Sequence, residues 1–319
     1  MLAVMALAVV SCSTGAGDST TIADTTKPAA GATSTSAEST ATQPPQFPVT
    51  VDAANGQIEI AAMPRSIVSL SPSATENLFA IGAGPQVVAV DDQSNYPENA
   101  PVTDLSGFTP NLESILSYEP DLVLITFDPG GLIDGLTAVG VPVLLLPSAT
   151  SIDAAFSELL ILGEATGHYE EASEVVAGMA ADLSDLVDEV GEVIAGTTVY
   201  HELDATFYSV SSSSYVGELY QLLGLVNIAD AADPDGFGYP QLSAEYIVDQ
   251  DPDVILLADA GFGESIETLR ARPGWGSMTA LSNEHVIEVD ADLSSRWTPR
   301  SVVFIRDLAE AIVTMVGTG

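Results

Sequence analysis

The sequence predicts an α/β protein of two lobes, each a parallel sheet wrapped by helices, with one long helix joining them. Three observations predict it. One phrase occurs twice, as ESILSYEPDLVLI at 113–125 and EYIVDQDPDVILL at 245–257, in the ungapped pattern E-x-I-[LV]-x-x-x-P-D-[LV]-[VI]-L-[IL]. Short apolar runs such as Leu122–Ile125 and Val254–Leu257 are unbroken by polar residues, as in strands buried on both faces. From His168 to about Ile194 apolar residues recur at Ala172, Val175, Val176, Met179, Leu183, Leu186, Val187 and Val190 with no proline. That is a helical stripe of roughly 40 Å at 1.5 Å per residue. A solenoid needs three or more repeats, so a phrase said twice implies two lobes.

The chain opens on Met1–Val10, wholly apolar and leading into Ser11-Cys12, which resembles a bacterial lipobox: a short hydrophobic core, small residues, then cysteine. In that reading 1–12 is a lipoprotein signal and Cys12 carries the lipid. The run is too short to span a bilayer as a helix, and no Lys or Arg precedes it, so the natural start is expected upstream. Residues 13–46 are mostly Ser, Thr, Ala and Gly with little to bury, a flexible tether by composition.

The first lobe is expected over 47–150. Phe47–Ala61 alternates around Asn55-Gly56, a hairpin signal. Ser66–Leu70 is a strand feeding Ser71-Pro72-Ser73-Ala74-Thr75-Glu76, a capped helix start that runs to Ile81. Val87–Val90 is the next strand, and the first copy of the repeat follows. In each copy the leading acid, Glu113 or Glu245, complements the positive end of a short helix. Pro120-Asp121 and Pro252-Asp253 stop that helix, because proline lacks the amide donor. Leu132–Val139 reads as a helix and Val143–Leu146 as a strand. Residues 151–195 hold a connection and the long bridging helix. The second lobe, 196–319, begins with the strand Thr197–Leu203. It continues through a Ser-rich turn at 211–214, a helix near 215–223, the second repeat copy and the strand Val286–Val289, and ends in a helix from about Arg300 to Met315.

Composition narrows the function. Forty-five acids against seven bases give a formal charge of −38, which repels nucleic acid and anionic lipid. Cys12 is the single cysteine, so no internal disulfide forms. His168, His201 and His285 are scattered without metal-ligand spacing, and no bound metal or cofactor of the protein's own is expected. No GxSxG, P-loop or GxGxxG occurs.

The segments RSIVSLSPSATENLFAIGAG (65–84), VDDQSNYP (90–97), TPNLESILSYEPDLVLIT (109–126), YPQLSAEYIVDQDPDVILLA (239–258), RPGWGSMTAL (272–281) and DLSSRWTPR (292–300) are similar, in kind and order, to those of a known class. They resemble the helical-backbone substrate-binding proteins of ABC importers for cobalamin, ferric siderophores and haem, over about 50–316. The resemblance implies two Rossmann-like α/β lobes joined by one long bridging helix, with the ligand cleft between the lobes. It also implies one permease-docking glutamate per lobe, Glu113 and Glu245, each offering a carboxylate to arginine. Cleft candidates are Ser73, Gln93, Tyr96, Phe108, Phe127, Tyr239, Arg296 and Trp297. Phe127 and Tyr239 stand where cobalamin-binding members place aromatic walls. Gln93 stands where those have tyrosine and Gly107 where they have tryptophan, with Phe108 one place along.

The expected function is therefore an extracytoplasmic, lipid-anchored binding protein, monomeric and non-catalytic. It would hand a metal chelate to an ABC permease and its ATPase, a corrinoid favoured over a ferric siderophore or haem. A secreted hydrolase and a surface sensor are the readings from other classes.

Overall fold

The computed structural model describes residues 46–317. Cys12 and the tether, Gln46 excepted, lie outside the described residues. Strands β1 (Val49–Ala53) and β2 (Gly56–Ile60) form the predicted hairpin, with Ala53 opposite Gly56. The Asn55 side chain at its tip donates to Val143 O at 2.9 Å and accepts from Leu145 N at 3.0 Å. Those two bonds fasten the hairpin to the edge of the first sheet.

The first lobe follows as β3 (Ile67–Leu70), α1 (Pro72–Ala80), β4 (Val87–Val90), α2 (Leu112–Leu116), β5 (Leu122–Ile125), α3 (Leu132–Ala138) and β6 (Val143–Leu145). Its four strands are parallel in the order β4-β3-β5-β6. Every residue of β3 and β5 is buried, which is why those runs show no polar alternation.

The segment 151–195 contains two helices, α4 (Ile152–Thr166) and α5 (Tyr169–Ile194). Helix α4 is capped by Ser151, whose hydroxyl accepts from Ala154 N, and ends at Gly167 with φ 81°. The pair is antiparallel and tight. A Cβ on Gly163 would lie 2.5 Å from that of Ala172, so only glycine permits the approach. Helix α5, about 39 Å long by its rise, starts beside the first lobe, where Gln86 donates to Thr166 O at 3.1 Å. It ends at the second, where Gly196 N donates to Gly224 O at 2.8 Å.

The second lobe comprises β7 (Thr198–Glu202), α6 (Tyr215–Leu222), β8 (Val226–Asn227), α7 (Ala244–Gln250), β9 (Val254–Leu257), α8 (Ile266–Ala271), α9 (Thr279–Ser282), β10 (Val286–Glu288), α10 (Ala291–Ser295) and α11 (Arg300–Val316). Its strands are parallel in the order β10-β9-β7-β8. Helix α11 lies along α5, with Arg306 reaching Glu189 at 3.4 Å. One apolar core runs through the interlobe helices and both lobes, from Leu78 through Leu162 and Leu183 to Tyr220 and Ile305.

The repeat is reproduced in three dimensions. Asn111 and Ser243 cap α2 and α7, Glu113 and Glu245 occupy the second helical position, and Ile115 and Ile247 are fully buried. Both residues before the prolines, Glu119 and Asp251, adopt positive φ (50° and 44°). The Pro-Asp pair does more than stop a helix. Asp121 accepts from Arg65 N and Ser66 N at 2.9 and 3.1 Å, and Asp253 from Thr198 N and Oγ1 at 2.9 and 2.8 Å. Each aspartate thereby pins the start of the neighbouring strand.

Candidate functional site

The C-terminal tips of the first sheet and the loop around α10 enclose a cleft of about 360 Å³. Open α/β sheets place ligands at such strand ends. The floor follows from β3, whose exit puts Ser71 at the cap of α1 and buries Ser73 behind it. Beyond β4, Asp91 is 3% exposed and accepts from Ser94 Oγ at 2.6 Å. The Thr75 hydroxyl lies 2.9 Å from Ser69 Oγ and 3.0 Å from Ser94 Oγ, a hydroxyl row behind the wall. Burial raises the Asp91 carboxyl above its ordinary value, against the lowering by the Ser94 hydrogen bond.

Gly107 passes directly over Asp91. A Cβ there would stand 2.8 Å from Asp91 Oδ2 and 3.0 Å from Leu70 O, so a side chain would have to displace the carboxylate. The aromatic surface stands one residue on. Phe108 and Phe127, both exposed, lie 5.7 Å apart at 43° and line the cleft together. Such a pair presents an apolar face to a flat ligand.

The opposite wall comes from the second lobe and is bound into the first. Arg296, 6% exposed, donates from Nη1 to Glu76 Oε1 and Asn95 Oδ1, each at 2.8 Å. Its Nη2 reaches Gln93 O at 3.0 Å and Asp292 Oδ1 at 2.8 Å. Glu76, in the middle of α1, also accepts from Arg300 Nη1 at 2.9 Å and Thr298 Oγ1 at 2.8 Å. The Trp297 indole donates to Glu158 Oε2 at 2.7 Å, and Asn77 donates to the Trp297 carbonyl at 3.3 Å. Complete burial pushes Glu158 up to about 8, the Trp297 bond opposing.

Of the residues singled out from the sequence, Ser73, Gln93, Phe108, Phe127, Arg296 and Trp297 come together at this cleft. Tyr96 and Tyr239 do not line it. Tyr96 sits in an adjoining hollow with the Arg300 guanidinium 3.9 Å above its ring. Tyr239 follows an exposed loop held by Asp233, which accepts from Phe237 N and Gly238 N at 2.8 Å. Glu113 and Glu245 are exposed, and neither has an ion-pair partner among the described residues. Beside Glu245 a hollow of about 510 Å³ is lined by Phe207, Val248, Arg272 and Trp275. Arg272 forms part of its wall, 4.6 Å from the centre of the Trp275 ring and paired with buried Glu202 at 2.6 Å.

Three participants escape the sequence reading: Asp91, Glu76 and Glu158. Asp91 carries a usable signal, a carboxylate directly after the apolar run Val87–Val90, at the end where ligands bind. Among the described residues no group of three His, Cys, Asp or Glu side chains is arranged to hold a metal ion. His201 is a core residue instead, its Nδ1 2.9 Å from Tyr220 OH and its pKa pushed down to about 4 by burial.

The sequence profile of the periplasmic binding protein family matches residues 67–293, from β3 into α10. The uncharacterized ABC transporter substrate-binding lipoprotein YvrC of Bacillus subtilis (strain 168) is 31% identical over 276 residues, 83% of this chain and 86% of its own. The cobalamin-binding protein of Halobacterium salinarum (strain ATCC 29341 / DSM 671 / R1) is 30% identical over 275 residues, 83% of this chain and 74% of its own. A solved structure of a possible iron-binding (periplasmic solute-binding) protein from Staphylococcus epidermidis ATCC 12228 matches with a TM-score of 0.69 at 25% identity, covering 79% of this chain and 99% of that one. These are binding proteins rather than enzymes.

Proposed function

The chain belongs to the periplasmic binding protein family, and from that premise we propose that it captures a cobalamin-type corrinoid between its lobes and delivers it to an ABC permease. As an ABC-transporter-type substrate-binding protein it is not an enzyme. The observation that carries the ligand is the exposed Phe108–Phe127 pair, an aromatic face at the strand tips suited to a macrocycle. The similarity to the Halobacterium cobalamin-binding protein supports the same choice. The corrinoid is cargo, with no resident cofactor.

Delivery assigns Glu113 and Glu245 to arginines of the permease, one contact per lobe, with the ATPase behind it. Cys12 anchors the monomer to the outer face of the cell membrane, and 13–46 tethers the body of two lobes, 47–150 and 196–319, joined through 151–195. A ferric siderophore or haem is the second reading, favoured by the likeness to the possible iron-binding protein. Titration of the purified full chain with cyanocobalamin, haem and a panel of ferric siderophores separates them. Tight cyanocobalamin binding is expected; tight binding of a siderophore with no response to corrinoid replaces this proposal with the second.

A further inference from the structure

The cleft wall contains an acidic acceptor that the protein itself leaves open. Asp91 is nearly fully buried, and its hydrogen bonding comes from Ser94 alone; no described group donates to Oδ2. Gly107 keeps that oxygen uncovered, since any Cβ at 107 would stand 2.8 Å away and cap it. Both residues line the cleft. Oδ2 is not sealed in the core among the buried atoms without a partner; it opens on the cleft, and a ligand N–H is the group that would take the place of solvent on it.

Positive charge facing the ligand is already neutralised. Among the described residues Arg296 is the one cation lining the cleft, and its guanidinium serves Glu76, Asp292, Asn95 and the Gln93 carbonyl. Arg300 shares Glu76 with it. Arg65 sits at the entry of β3, the opposite end of the sheet from the cleft. Two guanidiniums thus pair with Glu76 and Asp292 before any ligand arrives, and Asp91 stands as a third carboxylate without an ion-pair partner among the described residues. An anionic chelate would meet carboxylate without a free cation, a juxtaposition that disfavours binding.

We propose that Asp91 is an open hydrogen-bond acceptor for the ligand, and that it makes the cleft select neutral or cationic chelates bearing N–H or O–H donors against anionic ones. The inference rests on this cleft being the ligand site, and it holds whether the ligand is a corrinoid or a siderophore. Amide side chains around a macrocycle meet the requirement; so does a hydroxamate chelate with an ammonium arm. A triscatecholate does not.

The test uses two pairs of probes differing in charge, titrated into the full chain: cyanocobalamin against its monocarboxylic acids, and cationic ferrioxamine B against trianionic ferric enterobactin. In whichever pair binds, the more negative member is expected to bind about tenfold or more weakly. Asp91→Asn is expected to narrow that gap, and melting of the variant checks that it folds. If it does not fold, the wild-type pairs still decide. Preference for ferrioxamine B over ferric enterobactin, with no response to either corrinoid, would end the corrinoid proposal and leave this inference standing. Equal or tighter binding of the anionic members overturns it, as does an unchanged gap in folded Asp91→Asn or no binding of any probe.

Discussion

The two copies of the repeat fold alike, with capped helices, positive φ before proline, and an aspartate pinning the adjacent strand. What stands above them differs. In the first lobe the strand tips open into a cleft with paired phenylalanines and an uncovered carboxylate. At the corresponding end of the second, Arg272 is folded inward against Trp275 and Phe207 and paired with Glu202 and Glu264. Duplicated scaffolding therefore supports one surface with an uncovered carboxylate and one hollow whose arginine is already paired with carboxylates of its own lobe. The second lobe contributes to the cleft through the α10 loop, which crosses to Glu76 of the first.

That contrast can be broken most forcefully at its two buried glutamates. Glu76→Ala and Glu202→Ala each remove the buried carboxylate partner of an arginine and leave it only a more exposed one, Asp292 for Arg296 and Glu264 for Arg272, and each is expected to cost up to about 3 kcal/mol in denaturant unfolding. Only Glu76→Ala should also loosen the lobes, seen as a larger scattering radius. Equal radii for the two variants would mean that the Glu76 cluster is not an interlobe clasp.

The glutamates proposed to dock the permease come next. Glu113→Ala and Glu245→Ala are each expected to lower uptake about tenfold, and the double variant about a hundredfold, with ligand binding unchanged. Full uptake in the double variant would sink the docking assignment. A smaller difference is expected between the pinning aspartates. Asp121 sits at an exposed site and Asp253 at a half-buried one, so Asp253→Ala should be the costlier within a range of about 1–3 kcal/mol. The denaturation midpoints decide the order.

The mildest probe is pH. Burial lifts Glu158 from 4.5 to about 8, so the stability tied to its protonated form is whole below its unfolded value and drains away as pH rises through about 8. His201, lowered from 6.5 to about 4, acts in the opposite direction: its contribution is present above 6.5 and is lost as pH falls toward 4. Glu158→Gln is expected to raise the melting temperature by a few degrees at pH 8.5 and to leave it unchanged at pH 4. An equal effect at both pH values would exclude titration as the cause.

Much of this was legible in the residues. Unbroken runs such as Leu122–Ile125 marked buried strands, the stripe from Ala172 to Val190 marked the long helix, and the leading acids marked matching helix starts. Helix α4 was not separated from the connection, because its cap at Ser151 and stop at Gly167 are ordinary loop residues too. At the site, Phe108, Phe127 and Trp297 were found, whereas Asp91 was passed over for its neighbours in the same loop.

The chain alone determined the two lobes, their duplicated units and the elements that span them, because periodicity and helix breakers act over a few residues. Tertiary structure decided which charges remain for a ligand. Arg296 looks like a free cation in DLSSRWTPR until the fold brings Glu76 to it across 220 positions. Gly107 looks like a lost aromatic until the loop passes over Asp91. Ion pairing and desolvation depend on distance through space, and local sequence does not carry that distance.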